Sequence, residues 1–297
     1  MEYSKHTFYE LLRLLPEELL NEVLYITDND LKRINEMRIR NGQVCSYKLF
    51  DTRKIIAGNL KCDKYILNEC INKFMNYSYY AYEEELRNGY ITLFGGHRAG
   101  ICGHAVVDNG KISTISNFSS INIRQAREYI GISSEFINKY YKDYLCDVLI
   151  VSPPGCGKTT FLRDMVRTLS FMEFNVGVCD ERSEIAGMFQ GKPSFEIGPN
   201  TDVLDSCPKA EGMKMLLRSM GPDIIVTDEI GKSEDIEAII TALTSGTRII
   251  ATAHGDSIER LKHGPLKEVI DYKLFNIILF LDRNPYPCTI KSIMKLK

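Results

Sequence analysis

The distribution of apolar positions changes character part-way along the chain. In the C-terminal half, short apolar runs at 148–151, 175–179, 224–228, 248–252 and 275–281 alternate with segments of helical spacing at 158–170, 209–220 and 233–246. Short continuous apolar runs predict strands buried on both faces. Helices between consecutive strands then predict a parallel sheet covered on both sides, because a parallel pair needs a crossover connection. The punctuation agrees. Gly221-Pro222 stops the second helix, Ser233 stands in the N-cap place of the third, and Asp256-Ser257-Ile258-Glu259 has capping-box spacing before a further helix.

The N-terminal half reads differently. Apolar residues recur at helical spacing over 9–26, interrupted at Pro16, and shorter mixed segments follow, including a glycine-punctuated piece at 89–100. This pattern predicts a smaller α+β domain. The expected division is an N-terminal α+β domain over 1–140 and an α/β domain over 141–297, with the boundary between Gly131 and Asp147. No internal repeat or low-complexity tract is visible.

Candidate chemistry begins where the first C-terminal strand ends. Ser152-Pro153-Pro154-Gly155-Cys156-Gly157-Lys158-Thr159-Thr160 joins the run at 148–151 to the next helix. A Pro/Gly-rich loop in that position presents backbone N–H groups to polyphosphate oxygens at the positive end of a helix dipole. Pro154, Gly155, Cys156 and Gly157 are expected to offer backbone, and Lys158 to reach the β- and γ-phosphates. Thr159 is expected to ligate Mg²⁺, with Thr160 beside it at the helix head. The full pattern G-x-x-x-x-G-K-[ST] has glycine where this chain has Ser152, a residue small enough for the turn. Pro-Pro-Gly at a plain strand–turn–helix junction is the bland alternative; the flanking strand and helix favour a nucleoside-triphosphate loop. ATP and Mg²⁺ are the expected ligands.

Composition narrows the class. At 297 residues the chain is long enough for two domains, and 44% hydrophobic with 26% charged residues is the balance of an ordinary globular protein. A net charge of −2 gives no bulk attraction to nucleic acid, so no nucleic-acid partner is expected. Nine scattered cysteines with no C-x-x-C pair suggest reduced thiols rather than a disulfide framework or a zinc site. The start of the chain does not read as a signal peptide, and the apolar segment 274–281 is too short to span a bilayer. A cytoplasmic protein, peripheral to a membrane through partners, is the expectation.

Hydrolysis needs more than a phosphate loop. The run 224–228 ends in the adjacent carboxylates Asp228 and Glu229. Asp228 at the strand end would hold Mg²⁺ through a water, and Glu229 would orient or deprotonate the attacking water. Asp180-Glu181-Arg182-Ser183-Glu184 follows another strand end, so Glu181 and its neighbours should open onto the same ligand edge. His254 follows the run 248–252, where a γ-phosphate sensor would sit. The bland readings are an acidic surface turn, a charged loop with internal ion pairs, and a structural histidine.

In combination these segments resemble a known family. Ser152 to Thr160, Asp180 to Glu184, Thr227-Asp228-Glu229-Ile230-Gly231 and Thr252-Ala253-His254-Gly255 are similar to the stage III sporulation protein AA family. That family is in turn similar to the secretion ATPases of type II and type IV systems, which carry a Walker A, an acidic box, a Walker B and a histidine box on a RecA-like core. Gly89-Tyr90-Ile91-Thr92, Gly95-Gly96-His97-Arg98 and Ile121-Asn122-Ile123-Arg124 resemble the domain ahead of that core, so the likeness covers nearly the whole chain. The resemblance implies a RecA-like P-loop ATPase core behind a smaller α+β domain. It also implies arginines that approach the nucleotide, with Arg98 and Arg124 as first candidates and Arg127 and Arg218 behind them. A guanidinium at the γ-phosphate is worth about 10³ to 10⁵ in rate where arginine fingers act. The further implications are a homo-oligomer, expected as a hexamer, and membrane proteins of a sporulation channel complex as partners. The place implied is the mother-cell cytoplasm of an endospore former.

Two other functions fit the same core. A RecA-like nucleic-acid motor would show turnover stimulated by nucleic acid. A nucleotide-gated binding module would bind ATP tightly without releasing phosphate.

Overall fold

The computed structural model describes residues 11–49, 55–141 and 144–296; the first residues of the expected helix at 9–26 lie outside these. Two compact units divide the chain. One runs up to Glu128 and takes in Phe189–Ser194, and the other holds Tyr129–Met188 and the chain from Phe195 onward.

In the N-terminal unit, helices α1 (Glu17–Val23) and α2 (Asp28–Leu31) lead into strands β1 (Ile34–Arg40), β2 (Val44–Leu49) and β3 (Ile55–Lys61). Pro16 interrupts the helical run as expected, parting the helical residues at 11–12 from α1, and it opens α1: its fixed φ suits a helix start, and its carbonyl accepts the N–H groups of Leu19 and Leu20. Helices α3 (Lys64–Phe74) and α4 (Glu83–Arg87) follow, then β4 (Tyr90–Leu93) and the long hairpin β5 (His97–Asp108) and β6 (Lys111–Arg124). Asp63 caps α3 by accepting the Ile66 N–H at 2.9 Å. The strands form one antiparallel sheet in the order β3-β2-β1-β6-β5-β4. Alternate residues such as Met37, Ile39, Ile121 and Ile123 bury one face against Leu67 and Ile71 of α3.

The second unit starts with α5 (Ser134–Tyr140), so this segment packs with the C-terminal part of the chain. Then come β7 (Val148–Ser152), α6 (Lys158–Phe171), β8 (Val176–Asp180) and β11 (Thr201–Asp205); between β8 and β11 lies the short ribbon β9 (Met188–Phe189) and β10 (Lys192–Pro193), whose residues from Phe189 on count with the N-terminal unit. Next are α7 (Lys209–Ser219), β12 (Ile224–Thr227), α8 (Ser233–Thr244) and β13 (Arg248–His254). Helices α9 (Ile258–His263) and α10 (Lys267–Asp271) precede the closing hairpin β14 (Ile277–Asp282) and β15 (Thr289–Lys295). The sheet order is β11-β8-β12-β13-β7-β14-β15, parallel throughout except for the β14–β15 pair. All residues of β7, β8 and β12 are buried, as the unbroken apolar runs require. Strands β11 and β15 escape the sequence pattern because they lie at the two sheet edges, where only part of each strand is buried.

Helix starts differ in detail from the sequence signals. The N-cap of α8 is Lys232 and not Ser233; Asp235 reaches back to accept the N–H groups of Gly231 and Lys232, each at 3.1 Å. Ser257 caps α9 alone, with its hydroxyl accepting the Arg260 N–H, so Asp256 and Glu259 form no capping box. Among the described residues no helix is long and apolar enough to cross a membrane.

Candidate functional site

A parallel sheet gathers the C-terminal ends of its strands at one edge, and here that edge carries the predicted chemistry. Register fixes the levels: His254 of β13 pairs with Ser152 of β7, while β12 ends three residues lower on β13, at the Thr227–Ala251 pair. Asp228 and Glu229 therefore leave β12 beneath the last turn of β13, beside the head of the loop that follows β7.

The loop 153–157 turns on two glycines. Gly155 and Gly157 have φ of +75° and +89°, conformations that side-chain-bearing residues rarely adopt, and Gly157 is the residue from which α6 springs. The second reason for glycine at 157 lies far along the chain. A Cβ there would run into Cys288 Sγ, because the β14–β15 turn clamps the loop: the Cys288 N–H donates to Cys156 O at 2.8 Å and its thiol to Gly157 O at 3.3 Å. Ser152, the departure from the usual glycine, is fully buried with its hydroxyl donating to Pro153 O at 2.9 Å, so the loop accommodates it with no stranded polar group.

Lys158 is buried, and its ammonium donates to Ser152 O and to His254 Nδ1, both at 3.1 Å. Burial lowers its pKa, with the Glu229 carboxylate acting in the opposite sense. Because Nδ1 accepts from Lys158, the network assigns the ring proton to Nε2, which lies 2.8 Å from Glu229 Oε1. Arg182 meets the other Glu229 oxygen at 3.4 Å. Lys158, His254, Glu229 and Arg182 thus form one continuous chain of contacts. Thr159 and Thr160, half-buried, stand on the first turn of α6.

Glu229 carries a backbone signature of its own. It is a non-glycine residue with φ of +37°, and such conformations cost of order 1–3 kcal/mol unless the surroundings enforce them. Thr252 does so: its hydroxyl accepts the Glu229 N–H at 2.8 Å, and its carbonyl accepts the Ile230 N–H at 2.9 Å. A cavity of about 590 Å³ opens beside this segment, lined by Pro153, Pro154, Glu229, Ile230 and His254 among others.

Asp228 is buried, and burial pushes its carboxyl up to about 6 against the pull of Lys209. Its Oδ1 has no hydrogen-bond partner; Lys209 Nζ is 3.6 Å away. A buried carboxylate oxygen that accepts no hydrogen bond is the kind of donor a hard cation or its water uses. Lys209, itself buried, also pairs with Glu181. Burial would raise Glu181, but the bond and charge of Lys209 outweigh it and hold the carboxyl low. Asp180 does a different job: its carboxylate accepts the N–H groups of Glu184, Ile185 and Ala186, each at 2.9 Å, and folds the acidic segment into a fixed loop. Arg163 of α6 locks that loop from the other side through Ile185 O at 2.7 Å and Glu184 O at 2.6 Å, with its guanidinium 3.4 Å over the Phe195 ring.

The arginine candidates separate. Arg98 and Arg124 are directly opposed on β5 and β6, which puts them side by side on one face of the N-terminal sheet; Arg98 also lies 3.6 Å over the Tyr90 ring. Arg127 donates to Ile34 O at 2.9 Å and to Lys32 O at 3.3 Å, within its own unit. Arg218 donates to Lys214 O at the far end of α7, roughly 13 Å along the helix from Lys209, so it is placed away from the strand-end cluster.

The family model described as sporulation stage III, protein AA matches residues 5–297. The chain belongs to that family. Stage III sporulation protein AA of Bacillus subtilis (strain 168) is 38% identical over 291 residues, which is 96% of this chain and 94% of that protein. Among solved structures, the ATPase DotB of Legionella pneumophila has a TM-score of 0.55 at 16% identity, over 84% of this chain and 72% of that one. The pilus retraction motor PilT with bound ADP has a TM-score of 0.57 at 13% identity, over 89% and 76%. Identities this low speak for the fold alone, and that fold is RecA-like.

Two residues of the site were missed by sequence reasoning, and Thr252 entered only as part of the Thr252-Ala253-His254-Gly255 segment, with no role of its own. Lys209 looks like an ordinary helix start after Pro208. Cys288 is 131 positions from Gly157, and no local pattern connects the two.

Proposed function

We propose that this member of the stage III sporulation protein AA family is an ATP-hydrolysing motor subunit of secretion type. The observation that carries the reading is the contact chain from Lys158 through His254 to Glu229, which links a phosphate-loop lysine to a candidate base at one sheet edge. Pro154 to Thr160 would wrap the triphosphate, with backbone N–H groups and the ammonium of Lys158 facing its oxygens. Thr159 and Asp228 would hold Mg²⁺, which when bound neutralises charge on the phosphate oxygens. Asp228 Oδ1, which accepts no hydrogen bond, fits that role, and among the described residues no cluster of three or more ligating side chains exists to bind a metal without the nucleotide.

In the reaction, the oxygen of a water attacks the γ-phosphorus while the bond to the bridging β-phosphate oxygen breaks. Glu229 accepts the water's proton, and His254, already in contact with both Glu229 and Lys158, reports the γ-phosphate to the base. Glu181 acts through Lys209, which holds the Asp228 side chain. Arg98 and Arg124 would supply guanidinium charge to the transition state in an assembled homo-oligomer, a hexamer by likeness to secretion motors. The proposed partners are membrane proteins of a sporulation channel complex, approached from the mother-cell cytoplasm. Turnover that neither rises with protein concentration nor falls in Arg124→Ala contradicts the shared-site part of this reading.

Phosphate release from Mg-ATP by the purified chain, compared with Lys158→Ala, tests the assignment. The variant should lose ATP binding or hydrolysis while keeping its circular dichroism spectrum, since the lysine acts on phosphate charge. Undiminished turnover in the variant removes the phosphate-loop assignment.

A further inference from the structure

The groups placed to act on a terminal phosphate all lie on one side of β7. Asp228, Glu229 and His254 leave the ends of β12 and β13, and in the sheet order β12-β13-β7-β14-β15 both strands precede β7. A triphosphate threaded along the 153–157 loop with its γ-phosphate toward those residues must carry its sugar and base the other way, toward β14. What stands there is the connection from β14 to β15.

That connection is bound to the phosphate loop. Cys288 donates its N–H to Cys156 O at 2.8 Å and its thiol, at 3.3 Å, to the carbonyl of Gly157, the residue from which α6 springs. The turn is therefore seated on the loop at the head of its helix. Tyr286 comes two residues earlier. Its carbonyl is fixed by the hydroxyl of Thr289 at 2.6 Å and the Thr289 N–H at 3.3 Å, which sets the backbone of the turn. The residue as a whole, by contrast, is 50% exposed. A half-exposed tyrosine on a turn bonded to the loop is placed to offer its ring to the flat face of a base.

We infer that the β14–β15 turn is the base-binding end of the nucleotide site and that Tyr286 is the ring on which a purine base stacks. This inference rests on the triphosphate reading above and adds to it the base end of the substrate. Stacking recognises any base through its π-face, favours the larger purine surface, and makes no demand on the phosphates. Affinity for a nucleoside triphosphate should therefore depend on Tyr286, and affinity for a bare polyphosphate should not.

The experiment uses the full chain and two probes: fluorescent etheno-ATP, read directly, and inorganic tripolyphosphate, read by competition. The chain has no tryptophan, so the etheno-adenine signal is read free of indole emission. Tyr286→Ala should weaken etheno-ATP by about tenfold or more, leave tripolyphosphate within about twofold, and abolish base quenching; Tyr286→Phe should restore all three toward the parent. Unchanged etheno-ATP binding in Tyr286→Ala overturns the base subsite. An equal loss for tripolyphosphate overturns it too, since the residue would then serve the loop's shape. A parent chain that binds neither probe overturns the triphosphate reading and this inference together, whereas a parent that binds tripolyphosphate isolates the question of the base.

Discussion

Thr252→Val is the sharpest perturbation of the candidate base that leaves the base itself in place. Thr252 is fully buried and valine preserves its shape, so the change removes one acceptor: the hydroxyl that receives the Glu229 N–H at 2.8 Å. A buried N–H left without a partner costs about 1–3 kcal/mol. The same bond holds Glu229 at its φ of +37°, a conformation that costs a comparable amount to maintain. The Ile230 N–H keeps the Thr252 carbonyl, so the strand pairing should survive. If Glu229 relaxes by the energy of that bond, the base leaves its place opposite the phosphate and turnover falls by about 10- to 100-fold, at roughly 1.4 kcal/mol per decade. ATP affinity, set by the phosphate loop, should stay within about threefold. Phosphate release at saturating ATP, nucleotide binding by fluorescence and a thermal melt together decide the matter, with Thr252→Ser as the control that keeps the hydroxyl. The melt should drop by about 2–4 °C per kcal/mol lost. A valine variant that melts earlier yet turns over at the parent rate would show that the bond stabilises the fold without positioning the base.

Two further substitutions probe the charged interior of the same edge. Lys209→Met strands Glu181 and the buried Asp228, and breaking a buried pair on one side costs about 3–5 kcal/mol, here reduced to the extent that Asp228 takes up a proton; an unchanged urea midpoint at pH 8 contradicts the pairing. Asp180 gives a pH signature: burial, opposed by its three backbone N–H bonds, pushes its carboxyl from the ordinary 3.8 up to about 6 in the folded chain. The native state then binds the proton more tightly than the unfolded one. Its contribution to stability is complete below about pH 4 and is lost as pH rises through about 6. Urea midpoints from pH 4 to 7 should fall less steeply in Asp180→Asn than in the parent, and parallel slopes would refute the assignment.

Much of this architecture was legible in the chain because it follows from periodicity and turn chemistry. The runs at 148–151, 175–179 and 224–228 became β7, β8 and β12 within a residue or so, since central parallel strands must be apolar on both faces. Glycines at 155 and 157 marked the loop, and the structure shows that both adopt left-handed backbone. The acidic segment at 180–184 read as one unit of function, but the structure divides it: Asp180 binds backbone, Glu181 binds Lys209 and Arg182 binds Glu229. Composition carries no information on which carboxylate takes which partner. Edge strands β11 and β15 were invisible because partial burial erases the apolar run, and the clamp by Cys288 was invisible because it joins segments that only the folded sheet brings together.

The central claim is that the edge cluster hydrolyses ATP with Glu229 as the base. Glu229→Gln keeps the side chain's shape and one acceptor oxygen, so it retains one of the two contacts that His254 and Arg182 make with the carboxylate, but it cannot accept the water's proton. Etheno-ATP binding and single-turnover phosphate release measured on the parent and this variant under identical conditions test the claim directly. The account predicts a parent that binds and releases phosphate, and a variant that binds comparably and releases phosphate at least about 100-fold more slowly. Phosphate release by the variant at the parent rate would contradict it.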